Sequence, residues 1–373
     1  MQDGSRGIVR MRLSVIDRRP AQVSFRLGDI VTGLALAVPF LLLFALVCAM
    51  LFAPRMAHAA TAMACEGKSL VETLKQKSPE RYAEALSEGE ATPNGRGKLW
   101  RIEKTGTEPS YLFGTMHVTD PRVTQLPAPA EKAFEAAGTV VIETVDILDP
   151  QKAQLALLGK PELTMFTDGS TLESLLGKDD LELVKAELKR RGIPLALVSR
   201  MKPWMIAGMV ALPDCETINK NAGVAFLDQK IAETARAEGK DLKGLESIGE
   251  QLEAMNSLPI EFHVQGLVET IKLGDLMPDI MATMTDLYLQ GDIAMIMPVI
   301  TAASPEDLDD EAEAYAQFED RIIRMRNHVM AERAAPILEN GDAFIAVGAL
   351  HLPGEEGLVA LLRKEGYEVS LIE

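Results

Sequence analysis

The chain has 373 residues, 38 of them basic and 55 acidic, for a formal net charge of −17 at pH 7. So acidic a surface repels nucleic-acid phosphates, and no nucleic-acid partner is expected. The same charge favours solubility and says little about the fold.

Residues 30 to 53 contain no charged side chain, and about 20 apolar residues suffice to cross a bilayer as a helix. Arg6, Arg10, Arg12, Arg18, Arg19 and Arg26 precede this run, against Asp3, Asp17 and Asp29. The basic flank is expected to stay in the cytoplasm and send the remainder across. Ala57-His58-Ala59-Ala60 follows, an Ala-x-Ala pattern of the kind cut by signal peptidase. Residues 1–59 therefore read as a signal peptide or an N-terminal membrane anchor, with cleavage preferred, and residues 60–373 as an exported domain. That domain is expected in the periplasm, or facing it from the inner membrane if residues 30–53 are retained. Cleavage after Ala59 would remove seven Arg and three Asp and leave 314 residues with a net charge of −21. Cys48 would depart with the apolar run. Cys65 and Cys215 would remain, as one disulfide in an oxidising compartment or as two buried thiols.

Along the exported part, apolar spacing predicts a helix from about Leu70 to Leu86, then a turn-rich stretch from Gly89 to Gly97. Leu99–Lys104 and Ser110–His117 read as paired strands joined across Thr105–Pro109. A short helix over Ala130–Ala137 ends at Gly138, and Thr139–Val145 reads as the next strand. From about 149 to 330 the pattern is largely helical. Helices are expected at Leu172–Arg191, Pro203–Leu212, Val224–Glu238, Ile248–Leu258, Asp286–Met297 and Glu306–Arg333, with one strand at Asp241–Glu246. A strand (Ala343–Leu350), a helix (Glu356–Glu365) and a last strand (Tyr367–Ile372) close the chain. The fold class is α/β: strands from both ends of the exported part share one sheet, and a large helical middle packs on it.

Two segments repeat one pattern. Tyr111–His117 and Phe344–His351 each place an apolar run ahead of Gly-x-x-His, in a chain with five histidines. The glycine permits a bend or a close approach, and the histidine falls where the strand gives out, at the end of an α/β strand where ligands collect. Glu143 ends another predicted strand. His117, Glu143 and His351 make a common ligand set for a catalytic divalent metal, with zinc, manganese and cobalt all compatible. Such a metal lowers the pKa of its water to about 7 and polarises a carbonyl, so hydrolysis is the natural reaction. The structural alternative is a pair of hydrogen-bonded core histidines and a glutamate held by an arginine.

Arg326 and Asn327, just before the second His strand, are candidates to orient a substrate carbonyl or a ligand, or else lie on a solvated helix face. Glu246 closes a short predicted strand and is a candidate general base. His263 and His328 lie in polar helical surroundings and read as surface residues; Trp204 reads as core. Ser199 and Ser247 lack a Gly-x-Ser-x-Gly elbow, which disfavours a serine hydrolase, and no His-Glu-x-x-His helix is present.

These marks occur in a recognisable order. Leu99-Trp100-Arg101-Ile102 leads to Gly114–His117 and Val141-Ile142-Glu143. Lys202-Pro203-Trp204, Gly223–Asp228, Gly244–Ser247 with Gln251-Leu252, Arg326-Asn327 and Val347–Gly354 with Gly357-Leu358 follow. In this combination the sequence resembles the TraB/GumN family, which includes the Tiki proteins and is distantly similar to erythromycin-esterase-like and ChaN-like proteins. The resemblance covers about Leu70 to Glu373. It implies an α/β fold with both Gly-x-x-His motifs and a glutamate at one site. His117, Glu143 and His351 become the expected catalytic or metal-binding group, with Arg326 and Asn327 in support. Tiki proteins are membrane-tethered, metal-dependent proteases, so the first expectation is an exported metal-dependent hydrolase with a peptide or protein substrate. The alternatives are a protein that binds a peptide signal without cutting it, and a haem- or iron-binding protein. No role follows for Asp228.

Overall fold

A computed structural model of the chain describes residues 62–303 and 318–372. The expected signal peptide or anchor, and the start of the helix expected at Glu306–Arg333, lie outside these residues. The fold is mixed α/β, 59% helical, around one six-stranded sheet.

The strands are β1 (Leu99–Glu103), β2 (Ser110–Thr115), β3 (Thr139–Ile142), β4 (Asp241–Gly244), β5 (Ala343–Gly348) and β6 (Glu368–Leu371), in the spatial order β4-β3-β5-β2-β1-β6. The four strands β4, β3, β5 and β2 run parallel, and β1 joins β2 and β6 antiparallel. As expected, the sheet draws on both ends of the described chain, with β4 entering from the helical middle. In register, Gly114 faces Val347 and Thr115 faces Gly348, while Ile142 faces both Ala346 and Gly244. The parallel strands therefore end at a common level.

Side chains alternate across the sheet as the pleat requires. Trp100, Ile102, Leu112, Val141, Ile345 and Val347 face one side, packed under helices Met277–Gln290, Met325–Leu338 and Leu358–Lys364. Leu99, Phe113, Val140, Ile142, Phe344 and Ala346 face the other, under helices Ala128–Ala136 and Leu227–Ala237. A strand buried on both faces reads as a continuous apolar run, which is why β5 shows no alternation in its sequence. The helical middle adds two cores of its own, one around Trp204, Leu252 and Phe262 and one around Val184, Leu188 and Ile206.

Several expected elements break where local chemistry intervenes. The helix expected over Leu70–Leu86 is two, Val71–Lys77 and Pro79–Ala91, because Pro79 cannot donate to the turn before it and starts a new helix instead. Leu172–Arg191 divides at Leu176-Gly177 into Leu172–Leu175 and Lys178–Arg190. The helix expected at Asp286–Met297 ends at Gln290, where Gly291 adopts φ 76° and caps it. Beyond Phe318, a π-helical turn, Glu319–Arg324, leads into Met325–Leu338. His263, expected at the surface, is 2% exposed; its Nε2 lies 3.1 Å from the Met255 carbonyl and its ring packs on Trp204. Its polar neighbours in sequence belong to the opposite side of helix Ile260–Leu273, most of whose residues are buried.

Cys65 and Cys215 form a disulfide across 150 residues of sequence, with Cα atoms 5.4 Å apart. It fastens the segment ahead of the first helix to helix Asp214–Asn221, where Asn219 also holds both backbone groups of Met63. Closing so long a loop is worth roughly 2–5 kcal/mol. A Cys65→Ser/Cys215→Ser variant is expected to melt several degrees below the oxidised parent, and reductant is expected to bring the parent to the same Tm. Equal melting of variant and oxidised parent would remove this role for the bridge.

Candidate active site

The carboxyl ends of the four parallel strands converge. His117 follows β2 by two residues, His351 follows β5 by three, Glu143 directly follows β3, and Glu246 lies two beyond β4. The Glu246 amide donates to the Glu143 carbonyl at 2.7 Å, which carries the strand pairing one step further and puts both glutamates at one level. Within the described sheet, this is the edge where an open α/β arrangement presents ligand-binding groups.

Both motif glycines are needed for close approach. A Cβ on Gly114 would lie 2.3 Å from Leu352 Cδ1 and 3.0 Å from Ala349 Cα, because the turn carrying His351 crosses directly over β2. Gly348 donates its amide to Glu143 Oε1 at 2.7 Å, and a Cβ there would stand 3.2 Å from that oxygen. The Gly-x-x-His repeat thus reflects two strand ends packed against each other and against one carboxylate.

Arg326, in the first turn of helix Met325–Leu338, lies between the two glutamates. Its Nη2 donates to Glu143 Oε2 at 2.8 Å and to Glu246 Oε2 at 2.6 Å, and its Nε reaches Glu246 Oε1 at 3.0 Å. Gln251 Nε2 adds a bond to Glu143 Oε2 at 3.1 Å. All four side chains are buried. Burial pushes the Glu143 carboxyl up, but the Arg326 guanidinium, the neighbouring imidazoles and the Gly348 amide together outweigh it and hold the group at about 2. Glu143 is therefore ionised at neutral pH. Glu246, engaged along its carboxylate edge by Arg326, is placed as a charge partner of the arginine.

His351 is fixed through Asn327. The Asn327 amide donates its Nδ2–H to the Glu356 carbonyl at 2.8 Å, so its Oδ1 accepts, at 2.6 Å, from His351 Nδ1. That assigns the proton to Nδ1 and the lone pair to Nε2, which lies 3.8 Å from Glu143 Oε1. Burial, reinforced by Arg326, lowers the His351 pKa to about 3, so the ring is neutral. His117 packs on Phe226, ring centroids 5.4 Å apart, with Nε2 at 3.3 Å from Asp228 Oδ1. The cavity between these groups, about 40 Å³, is lined by His117, Glu143, Arg326, Gly348 and His351 together with Ile322 and Ile323. That volume suits an ion or a few waters.

His117, Glu143, His351 and Arg326 thus share one cavity, with Asn327 and Glu246 directly behind it. As they stand, no three His, Cys, Asp or Glu side chains among the described residues are gathered as a metal-binding group. The donor chemistry nevertheless suits a divalent ion: a neutral imidazole with an assigned lone pair, a second imidazole, and an ionised carboxylate. Two members escaped the sequence reading. Gln251 was visible only as part of the ordered pattern. Asp228 carried one signal, a carboxylate set among apolar residues at a helix start. His328 is exposed and pairs with Glu356, as expected of a surface residue.

Two outcomes follow from this geometry. Gly348→Ala is expected to displace the Glu143 carboxylate and destabilise the fold by about 1–3 kcal/mol; unfolding in urea measures it, and an unchanged midpoint would show that Glu143 is free to move. Acid should also destabilise the protein. His351 and His263 are neutral in the fold, held by burial at about 3 and about 4, whereas in the unfolded chain they titrate near 6.5. Below pH ~6.5 the unfolded state takes up protons that the folded state refuses. Stability should fall by up to about 1.4 kcal/mol per pH unit for each histidine, ceasing for each near its folded value. Glu143, held low, extends the loss from about pH 4.5 downward. His263→Gln should remove one proton from the slope between pH 6 and 4; constant stability from pH 7 to 5 would contradict both assignments.

Comparison with known proteins now adds to this geometry. A sequence model of the TraB/PrgY/gumN family matches residues 98–371, a span that holds every residue of the site. The metalloprotease TIKI homolog of Nematostella vectensis is 26% identical over 334 residues, covering 76% of this chain and 69% of its own. Metalloprotease TIKI2 of Danio rerio is 28% identical over 320 residues, 73% of this chain and 60% of its own. Metalloprotease TIKI1 of Homo sapiens is 26% identical over 327 residues, 73% of this chain and 61% of its own. The chain thus spans between 60% and 69% of the length of these relatives. No solved structure matches it with significance. With the family model matching residues 98–371, which include both Gly-x-x-His turns, the chain belongs to the TraB/PrgY/gumN family.

Proposed function

We propose that the protein is an exported metal-dependent hydrolase that cuts peptide or protein substrates. The observation that carries this reading is the convergence of two imidazoles, that of His351 held neutral by burial, and an ionised carboxylate on one small cavity at the carboxyl ends of parallel strands. The family supports it, since several relatives are named metalloproteases. The disulfide supports an oxidising compartment, as an exported chain meets.

His117, Glu143 and His351 are the residues that would hold the ion, with zinc, manganese and cobalt all suited to them. When bound, such an ion supplies an acidified water and polarises a carbonyl. The remaining residues prepare the site. Arg326 keeps Glu143 ionised and aims its carboxylate, and Glu246 and Gln251 fix Arg326 and Glu143 in turn. Asn327 selects the His351 tautomer whose lone pair faces Glu143. Glu246 serves as a partner of Arg326 in this scheme in place of a general base. Ile322 and Ile323 give the cavity its apolar wall.

One observation favours a second reading, a protein that binds a peptide signal without cutting it: the donors are not gathered around an ion as they stand. No observation here favours the haem alternative. Metal content separates the first two. The full chain, purified without chelator and exposed to zinc, manganese or cobalt, should retain about one ion per molecule by elemental analysis. A folded His117→Ala/His351→Ala variant should retain none, and chelator should abolish peptide cleavage by the parent. No bound ion in the parent would overturn the hydrolase reading and leave peptide binding in the lead.

A further inference from the structure

Asp228 is the acidic residue that neither the motifs nor the proposed ligand set uses. It sits in the first turn of helix Leu227–Ala237, where a carboxylate ordinarily faces water and stabilises the helix through its dipole. Here it is only 3% exposed. Its Oδ1 accepts from the Thr115 hydroxyl at 2.8 Å and lies 3.3 Å from His117 Nε2. Its Oδ2 is buried with no hydrogen-bond partner among the described residues. A helix-dipole role explains neither the burial nor the contact with His117. An unsatisfied buried carboxylate oxygen is costly, so the placement asks for a compensating use.

We propose that Asp228 is a positioning residue for His117, holding the ring through an Nε2–H···Oδ1 hydrogen bond and so setting its tautomer. Thr115, at the end of β2 and two residues before His117, fixes the carboxylate by donating its hydroxyl to the same oxygen. In a neutral ring with its proton on Nε2, the lone pair belongs to Nδ1. His351 is the reverse: Asn327 takes its Nδ1–H and leaves the lone pair on Nε2. The two Gly-x-x-His motifs are thus alike in sequence and opposite in tautomer, one fixed by a carboxylate and the other by an amide. A carboxylate behind a histidine also raises the basicity of the ring as a ligand, in the manner of second-layer carboxylates in metal sites. This second consequence rests on the metal reading given above; the tautomer itself does not.

The test is a long-range ¹H–¹⁵N correlation spectrum of the full chain, labelled at histidine and kept free of metal, with ring signals assigned through His117→Ala and His351→Ala. The parent should show His117 protonated at Nε2 and His351 protonated at Nδ1. Asp228→Ala, with the fold checked by circular dichroism, should shift His117 towards the Nδ1–H form and leave His351 unchanged. Asp228→Asn, whose amide oxygen can still accept from the Nε2–H and the Thr115 hydroxyl, should keep the parent ring pattern and guards against misfolding. Where the parent binds zinc, both variants should bind it about 10–100-fold more weakly. A His117 ring protonated at Nδ1 in the metal-free parent, or one indifferent to Asp228→Ala, would overturn the proposal. A parent that binds no zinc yet shows the expected ring pattern would count against the metal reading and for the role of Asp228.

Discussion

The site depends on one buried guanidinium. Arg326 lies between Glu143 and Glu246, each brought in by the end of a different parallel strand, and it donates to both. Two carboxylates at that depth, at the same level of the sheet, cannot both stay ionised without such a cation. Removing one partner from a buried ion pair typically costs about 3–5 kcal/mol, because the charges left behind have no water to turn to. Here the loss would strand two. The arginine also bolts helix Met325–Leu338 to the strand ends, so the same contact that sets the protonation states fixes the distance between the two halves of the site.

From that charge the other states follow. Glu143 stays anionic because Arg326, the neighbouring imidazoles and the Gly348 amide together outweigh its burial, and His351 stays neutral because burial and the nearby guanidinium both disfavour a second cation. Neutral imidazoles and an ionised carboxylate are the forms in which these side chains bind metals. The arrangement also shows why the glycines recur. A carboxylate docked on the Gly348 amide, and a turn crossing over Gly114, each occupy the volume that a methyl group would fill.

Much of this was legible in the sequence, for particular reasons. The apolar runs of β2, β3 and β5 announce strands buried on both faces, and histidines at their ends announce a site. The class of fold and the sharing of one sheet by both ends of the described chain followed from where those runs lie. Less legible were features set by partners remote in sequence. Glu246 ends a short strand, but only the position of Arg326 shows that its carboxylate is committed. Asn327 declares its role only beside His351. Asp228 looks like an ordinary helix-start acid until β2 is laid next to it. His263 was hidden by polar neighbours on the far side of its own helix. Helix ends misread from apolar spacing, as at Pro79 and Gly291, were decided by single residues whose backbone chemistry overrides the periodicity.

The anchoring of the chain's entry point carries a further implication. The Met63 backbone is gripped by Asn219, and Cys65 is bonded two residues later. Ten residues separate Met63 from Ala53, where the apolar run stops. Even fully extended, ten residues reach no more than about 35 Å. If that run stays in a bilayer, Met63 and the Cys65–Cys215 bridge are held within about 35 Å of its surface.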